Sequence, residues 1–305
     1  MSLKHAIETL SEPYRQIEQY KSLPDHERPT TNQQAIRFAV HYLDTYGYLE
    51  VPVSQHDYTF AELSEAISRM QRFHRLPVTY RLNAQTLRLM AQPRCGCPDI
   101  LQPKRADQKE YLALRTLARQ SLPAWRKRSL TYQISAYVPH ISQTRQQELI
   151  AQAFASWTQH GNLTVQPVRT GERPDIIIST GSGPRHNFDG PGGTLAWAYL
   201  PNGSDSQLLM RFDLAESWLD RPGQRGILFL NVAAHEIGHL LGLDHSRVPT
   251  ALMAPYYNPQ VATPQQRDDI TRFQARYGKR DPKAQPPANP PCPPRAVTKS
   301  KKAKE

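Results

Sequence analysis

The chain has 305 residues, of which 38% are hydrophobic, 9% aromatic and 21% charged, a composition too polar for a membrane protein and too apolar for wholesale disorder. The formal net charge is +11, but six of these charges lie in residues 279–305, which also hold seven prolines and cannot build a core. The charge therefore does not indicate a nucleic-acid-binding domain, and we expect no specific nucleic-acid partner.

The two ends of the chain are predicted to lie outside its domains. Residues 1–31 are predicted to be an N-terminal extension, and they show no apolar segment of the kind that marks a signal peptide. Residues 279–305 are predicted to be a disordered, solvated tail rich in proline and lysine, with contact to an anionic surface as the alternative. Three cysteines in the whole chain do not make a disulfide scaffold.

Residues 32–100 predict a small domain of three helices. Apolar residues recur at helical spacing in QQAIRFAVHYLDT and again in FAELSEAISRMQRF. The first of these helices is expected to end near Gly47, and Asn83 is expected to cap a third, shorter helix. Residues 101–124 are mostly polar and basic, and we predict a connector there.

Residues 125–278 predict a second domain in which helices and strands are mixed. The segments SLTYQISAYV, LTVQPV, PDIIIST and TLAWAYL have the composition of strands, and the almost wholly apolar PDIIIST is expected to be central in a sheet. Amphipathic helices are predicted in QQELIAQAFASWTQH and TPQQRDDITRFQARYG, and an apolar one in GILFLNVAAHEIGHLLG. This is a fold of the α+β class.

The sequence HEIGHLLGLDH carries the strongest chemical signal. His235 and His239 lie one helical turn apart, so both imidazoles can point at one zinc ion. Gly242 suits a left-handed position that ends the helix and lets His245 return as a third ligand. Three nitrogen ligands leave one position open, as a catalytic zinc requires, and Glu236 would face the water held there.

This motif and Met253 in ALMAPYY resemble the HExxHxxGxxH sequence and the Met-turn of the metzincins. Within this class, residues 33–278 are similar to the matrixins, the matrix-metalloproteinase-like enzymes. The resemblance implies a catalytic domain over residues 125–278, in which a twisted, mostly parallel sheet and flanking helices form a zinc cleft. It also implies a metalloendopeptidase with protein or peptide substrates and an extracellular or cell-envelope location. We expect a monomer.

The segment PRCGCPD resembles the PRCGxPD cysteine switch of matrixin zymogens. The resemblance implies that Cys95 binds the zinc in the latent form and that Arg94 and Asp99 pair to hold the segment. A thiolate is also a strong zinc ligand on chemical grounds. A half-built metal site or a disulfide to Cys292 are the alternatives, and Cys97 has no role that follows from the pattern.

The three-helix segment is similar to the peptidoglycan-binding-like prodomain of matrixins, which would deliver the switch cysteine to the cleft. Binding of glycan by this domain stays open. The chain could instead be chiefly a cell-wall or surface-binding protein that uses this domain and the basic tail, with vestigial proteolysis. Zinc content and cleavage of a peptide would distinguish the two.

The loop FDGPGG resembles the matrixin calcium loop. Asp189 would supply a carboxylate, the backbone carbonyls of Gly190 and Gly192 would converge on a hard cation, and Asp213 and Glu216 would complete the site for one calcium ion. The alternative is an Asp-Gly turn with two surface acids.

A second, structural zinc is not expected. At the positions where matrixins bind it, the chain carries side chains that are poor zinc ligands: Ser182, Pro184, Trp197 and Arg211. We therefore predict one catalytic zinc.

The resemblance also implies a mechanism and a substrate pocket. Glu236 would act as general base and then general acid. The substrate would lie extended along the edge of the TLAWAYL strand. Pro255 and Tyr257 would wall the pocket for the residue after the scissile bond, and Asn231 would shape it. Asp268 and Asp269 resemble the acidic pair that braces the Met-turn region.

Overall fold

The computed structural model describes residues 3–16, 22–24, 27–101, 123–223 and 225–281. The predicted connector and the predicted basic tail lie almost entirely outside these ranges, so both stay predictions.

The N-terminal part of the chain forms a helical unit. Its helices are α1 (Leu3–Gln16), α2 (Gln33–Thr45), α3 (Phe60–Phe73) and α4 (Ala84–Met90). Asn83 caps α4 as predicted, because its side chain accepts a hydrogen bond from the backbone N–H of Thr86. At the start of α3, Thr59 and Glu62 form a capping box.

Helix α1 adds to the three helices predicted from the sequence. Ile7, Leu10 and Tyr14 of α1 are buried in the same core as Ile36 and Ile67 of the next two helices. From the sequence, residues 1–31 are expected to be an extension, whereas in the structure α1 packs into the helical core. Its apolar face packs against α2 and α3.

The second unit is built on a six-stranded sheet. Its strands, in the order in which they lie, are β1 (Arg94–Cys95), β5 (Thr194–Ala198), β6 (Leu208–Asp213), β4 (Ile176–Gly181), β2 (Ser129–Ile134) and β3 (Thr164–Pro167). All neighbouring pairs are parallel except β5 with β6. The predicted α+β class and mostly parallel sheet are confirmed, and β4 lies in the interior as expected. Strand β6 was not predicted.

Three helices flank this sheet and position the site. They are α5 (Gln143–Thr158), α6 (Phe229–Leu240) and α7 (Arg267–Tyr277). Two buried indoles hold α6 in place: Trp157 Nε1 donates to the Ala234 carbonyl and Trp125 Nε1 to the Leu240 carbonyl, both at 2.8 Å. A small parallel pair, β7 (Trp218–Leu219) and β8 (Ile227–Leu228), precedes α6. Within the described ranges, every helix is too short or too polar to cross a bilayer.

Candidate active site

The three predicted zinc ligands lie together at the end of α6. His235 and His239 share one face of this buried helix, which ends at Leu240. Gly242 then adopts a φ of +89°, and a Cβ at this position would lie 2.8 Å from the Pro123 carbonyl oxygen. The turn returns His245 to the other two rings, with centroid separations of 4.8 to 5.4 Å among the three.

Each of the three imidazoles has an oxygen atom close to its Nδ1. His235 Nδ1 lies 2.7 Å from the Leu252 carbonyl, and His239 Nδ1 lies 2.7 Å from the Leu243 carbonyl. His245 Nδ1 lies 2.7 Å from a carboxylate oxygen of Asp99. Because the two carbonyl acceptors require a proton at Nδ1, the lone pairs of the His235 and His239 rings are at Nε2, where a metal ligand needs them.

The Cys95 thiol completes a four-donor group with these histidines. One donor atom from each of Cys95, His235, His239 and His245 lies within 4.8 Å of the others. The Nε2 atoms of His235 and His245 are buried without a hydrogen-bond partner. Buried polar atoms without a partner cost free energy unless an absent group satisfies them, and three imidazoles with a thiolate are donors that zinc prefers. The donor set therefore fits zinc.

Glu236 faces the same site from α6. Its side chain is fully buried, and neither carboxylate oxygen has a hydrogen-bond partner. Burial raises the pKa of Glu236 to about 8. A carboxyl group at this position can exchange a proton with a molecule held beside the histidines.

Met253 packs directly beneath the histidine helix. A Cβ on Gly238 would lie 2.2 Å from the Met253 Sδ, so only glycine permits this approach. The turn that carries Met253 is held by Asp269, which accepts hydrogen bonds from the backbone N–H groups of Leu252 at 2.8 Å and Met253 at 3.2 Å.

The segment around Cys95 fills the cleft as a strand that is hydrogen-bonded on both sides. On one side it pairs with β5, and on the other side with the residues that follow Met253. The bonds run from Arg94 N to Gly193 O at 3.0 Å, Gly96 N to Ala196 O at 2.8 Å, Cys95 N to Pro255 O at 2.9 Å and Tyr257 N to Pro93 O at 2.9 Å. The segment thus occupies the edge of β5 where a substrate was predicted to lie.

Arg94 and Asp99 form a buried bidentate ion pair. Arg94 Nη2 lies 2.6 Å from Oδ1 of Asp99, and Nη1 lies 3.1 Å from Oδ2. Burial alone would raise the pKa of Asp99, but the Arg94 charge and the hydrogen bonds from His245 and His74 hold it well below its usual value. The sequence analysis did not predict His74 as a partner, and it did not predict the Tyr48 hydroxyl, which donates to Asp99 at 2.6 Å.

Three tyrosine rings surround the Arg94 guanidinium. Its carbon lies 3.5 Å from the ring centroid of Tyr46 and 5.2 Å from those of Tyr42 and Tyr256. The hydroxyls of Tyr42 and Tyr256 are 2.6 Å apart. Tyr256 follows the Met-turn whereas Tyr42 lies on α2, so this aromatic cage joins the two units, and no local pattern in the sequence indicates it.

A cavity beside the histidines contains the three residues predicted for the substrate pocket. Asn231, Pro255 and Tyr257 line it, with Leu195 and Val261 among the apolar residues. Asn231 Nδ2 also donates to the carbonyls of Asn258 and Pro259, each at 3.2 Å. Asn231 therefore holds the loop at the pocket, a contact that the sequence analysis did not foresee.

The acidic residues predicted for calcium come near one another without forming a tight cluster. Burial raises the pKa of Asp213 and of Glu216, and the charge of Asp189 raises both further. Asp213 Oδ2 is buried without a hydrogen-bond partner, which fits a cation ligand. Gly190 and Gly192 have φ values of +96° and +83°. In the described part of the chain, the groups whose donor atoms all lie within 4.8 Å of one another do not include these acids.

At the positions that correspond to the ligands of the matrixin structural zinc, the side chains make other contacts. Trp197 Nε1 donates to the His186 carbonyl at 2.8 Å, and the guanidinium of Arg211 lies 5.6 Å from the Trp197 ring centroid. The backbone N–H of Ser182 donates to His186 Nδ1 at 3.2 Å. An indole and a guanidinium offer no lone pair to a metal.

The mostly parallel sheet, the buried histidine helix and the methionine turn are the features that the metzincin resemblance implies. The Matrixin family model matches residues 124–278, and a peptidoglycan-binding domain model matches residues 32–90. The chain belongs to the matrixin family, whose members depend on zinc and bind calcium.

Relatives of known name agree with this assignment. Human matrix metalloproteinase-25 is 34% identical over 272 residues, which are 84% of this chain and 47% of that protein. Human matrix metalloproteinase-20 is 36% identical over 265 residues, 83% of this chain and 50% of that protein. Matrilysin of Felis catus is 37% identical over 222 residues, 70% of this chain and 78% of matrilysin. The chain thus spans about half the length of most of these relatives.

Proposed function

We propose that the chain is a latent zinc endopeptidase that hydrolyses extended protein substrates. The observation that carries this proposal is the four-donor group of Cys95 with His235, His239 and His245. Three of these donors come from the HEIGHLLGLDH segment, and the fourth comes from β1, which follows the helical unit along the chain and lies in the cleft. This arrangement combines a catalytic metal site with an inhibitor that belongs to the same chain.

Latency would act in two ways. The Cys95 thiolate would hold the coordination position that catalysis needs, and the strand around it would block the edge of β5. The Arg94–Asp99 pair, buried among tyrosines, would keep this strand in place. Release of the N-terminal unit would open both the metal position and the strand edge.

A zinc ion in this site would supply Lewis-acid activation of the attacking water and of the scissile carbonyl. Glu236 would take the proton of that water on its carboxylate and return it to the leaving amine nitrogen. The hydrogen bonds at Nδ1 would hold the imidazoles in the ligating orientation throughout.

A substrate would replace the Cys95 segment on β5. The free backbone groups of that strand would then bind a peptide in an extended conformation. The side chain after the scissile bond would enter the cavity lined by Leu195, Val232 and Tyr257. This lining favours an apolar residue there.

Further properties follow from the family resemblance. We propose one catalytic zinc, one calcium ion in the loop that contains Asp189, and a monomeric chain. An extracellular or cell-envelope location fits the names of the matrix metalloproteinases that resemble it. Contact of the tail with an anionic surface is a further expectation from its basic residues.

The test compares the full chain with its Cys95→Ser variant and uses Cys292→Ser as the matched control. We expect native mass spectrometry to find one zinc in each, and a quenched peptide to be cleaved by Cys95→Ser without activation. The wild type and Cys292→Ser should cleave only after treatment with a thiol-reactive mercurial. Equal basal cleavage by all three proteins would contradict the role of Cys95.

The alternative, a surface-binding protein with vestigial proteolysis, predicts another result. It requires retention on peptidoglycan without cleavage of the peptide after mercurial treatment. Chelator-sensitive cleavage would reject it.

A further inference from the structure

We propose that Cys95 and Cys97 form a redox pair, in which a hydroperoxide links the two thiols as a reversible disulfide and so takes Cys95 away from the metal position. The effect on latency rests on the proposed function. Formation of the disulfide rests only on the geometry of the two thiols. No role for Cys97 follows from the sequence pattern, and the proposed peptide hydrolysis does not use this residue.

The two sulfur atoms lie close together in one buried group. The Sγ atoms of Cys95 and Cys97 lie within 4.8 Å of each other, together with an oxygen of Glu236 and a nitrogen of His239. The chain folds back between the cysteines, because the Cys97 backbone N–H lies 3.2 Å from the Cys95 Sγ. Two residues along a chain span at most about 7 Å between Cα atoms, close to the separation that disulfides tolerate.

The residue between the cysteines leaves room for ring closure. Gly96 has no side chain to obstruct rotation, and its backbone is flexible once it leaves β5. In the structure, the Gly96 N–H is bonded to the Ala196 carbonyl, and a Cβ on Gly96 would lie 2.6 Å from a methyl group of Thr194. A bulkier residue would therefore be excluded here, and the CGC sequence combines close thiols with a pliable link.

Cys97 is buried beside the end of β5. Its thiol donates to the Ala198 carbonyl at 3.2 Å, and Ala198 is the last residue of β5. Cys95 lines the cavity beside the histidines, so a small oxidant in this cavity would meet the Cys95 sulfur first.

The chemistry balances with a hydroperoxide as the oxidant. One thiol attacks the peroxide, forms a sulfenic acid and releases one molecule of water when the peroxide is hydrogen peroxide. The other thiol attacks that sulfur, so that the S–S bond forms and a second water leaves. The two cysteines together lose two electrons and two protons, and the O–O bond is reduced.

The disulfide would change what Cys95 can do in the cleft. A disulfide sulfur is neutral and is a much weaker metal ligand than a thiolate. Oxidation would therefore free the fourth position while the chain stays intact. A lone cysteine under the same oxidant proceeds to sulfinic acid, which ordinary thiols do not reduce. Reversibility is thus the property that Cys97 would add.

The experiment treats the full chain with hydrogen peroxide, blocks the remaining thiols with maleimide and maps the peptides by mass spectrometry. We expect maleimide-reactive cysteines to fall from three to one, with the peptide that contains Cys95 and Cys97 lighter by two hydrogen atoms. Dithiothreitol should restore all three. The Cys97→Ser variant should gain oxygen irreversibly at Cys95, and Cys292→Ser should behave as the wild type does.

Three outcomes would overturn the proposal. They are a link from Cys95 to Cys292, irreversible oxidation of Cys95 in the wild type, and unmodified thiols at a peroxide concentration that oxidises Cys95 in Cys97→Ser. Peptide cleavage is measured in the same samples, before and after dithiothreitol and after mercurial treatment. If the disulfide forms but neither peroxide nor mercurial treatment yields peptide cleavage, the redox pair is supported and the protease function is rejected. The failure of one proposal can therefore be told from the failure of the other.

Discussion

The Asp99 carboxylate lies 2.7 Å from Nδ1 of His245, so a residue of the N-terminal segment orients the third histidine of the metal site. The same carboxylate forms the bidentate pair with Arg94. A carboxylate behind a ligating histidine fixes the ring and raises its basicity. The segment therefore contacts the site twice, through Cys95 on the metal side and through Asp99 behind the ring.

Replacement of Asp99 by asparagine should weaken the hold of the N-terminal unit on the catalytic unit. The change leaves the Arg94 charge buried without its partner, and breaking a buried pair in this way costs about 3–5 kcal/mol. We expect easier unfolding in urea and measurable peptide cleavage before any activation. Asp220→Asn is the control, since this carboxylate is exposed and lies 3.9 Å from Arg145. If Asp99→Asn matches that control in both measurements, the pair does not hold the segment.

Replacement of Glu236 by glutamine should remove turnover and leave metal binding intact. The amide has the same shape but cannot accept the proton of the attacking water, a contribution of about 10²- to 10⁴-fold in rate. Native mass spectrometry should find the wild-type zinc content, and cleavage of a quenched peptide after mercurial treatment should fall by that factor. Glu148→Gln on the surface of α5 should retain the wild-type rate. Unchanged turnover in Glu236→Gln would remove this residue from the mechanism.

Replacement of Asp269 by asparagine should lower the stability of the fold much more than the same replacement of its neighbour Asp268. Asp269 is fully buried and accepts hydrogen bonds from two backbone N–H groups of the Met253 turn. Asparagine offers one oxygen instead of two, and a buried donor left without an acceptor costs about 1–3 kcal/mol. Asp268→Asn is the control, because this side chain is 33% exposed and asparagine can still accept from the Ser246 hydroxyl. Thermal unfolding measures both, and equal shifts would contradict the bracing role of Asp269.

Metal analysis should find one zinc for each chain. At two of the positions where matrixins bind a structural zinc, this chain has Trp197 and Arg211, whose side chains have no lone pair to donate to zinc. Removal of the single zinc by a chelator should lower the unfolding temperature, because it leaves the Nε2 atoms of His235 and His245 buried without partners. A second zinc that is retained in an Arg211→Ala variant as well as in the wild type would show that another set of ligands exists.

The sequence by itself determined the features that depend on short spacing. The step of four residues from His235 to His239, the glycine at 242 and the caps of α3 and α4 follow from the helical period and from the backbone freedom of glycine. The resemblance of the PRCGCPD segment to the cysteine switch further predicted Cys95 as a zinc ligand and an ion pair between Arg94 and Asp99. The predicted strand PDIIIST was central because apolar residues on both faces must be covered on both sides.

Only the tertiary structure decided which distant groups meet. Cys95 and His239 are 144 residues apart, and Tyr42 and Tyr256 are 214 residues apart. No period in the sequence encodes such contacts, because they depend on the register of β1 on β5 and on how the helical unit packs over the Met253 turn. For the same reason, α1 joined the helical core and Asp99 reached His245. These pairings are fixed by the burial of surfaces that are complementary only once both units are folded.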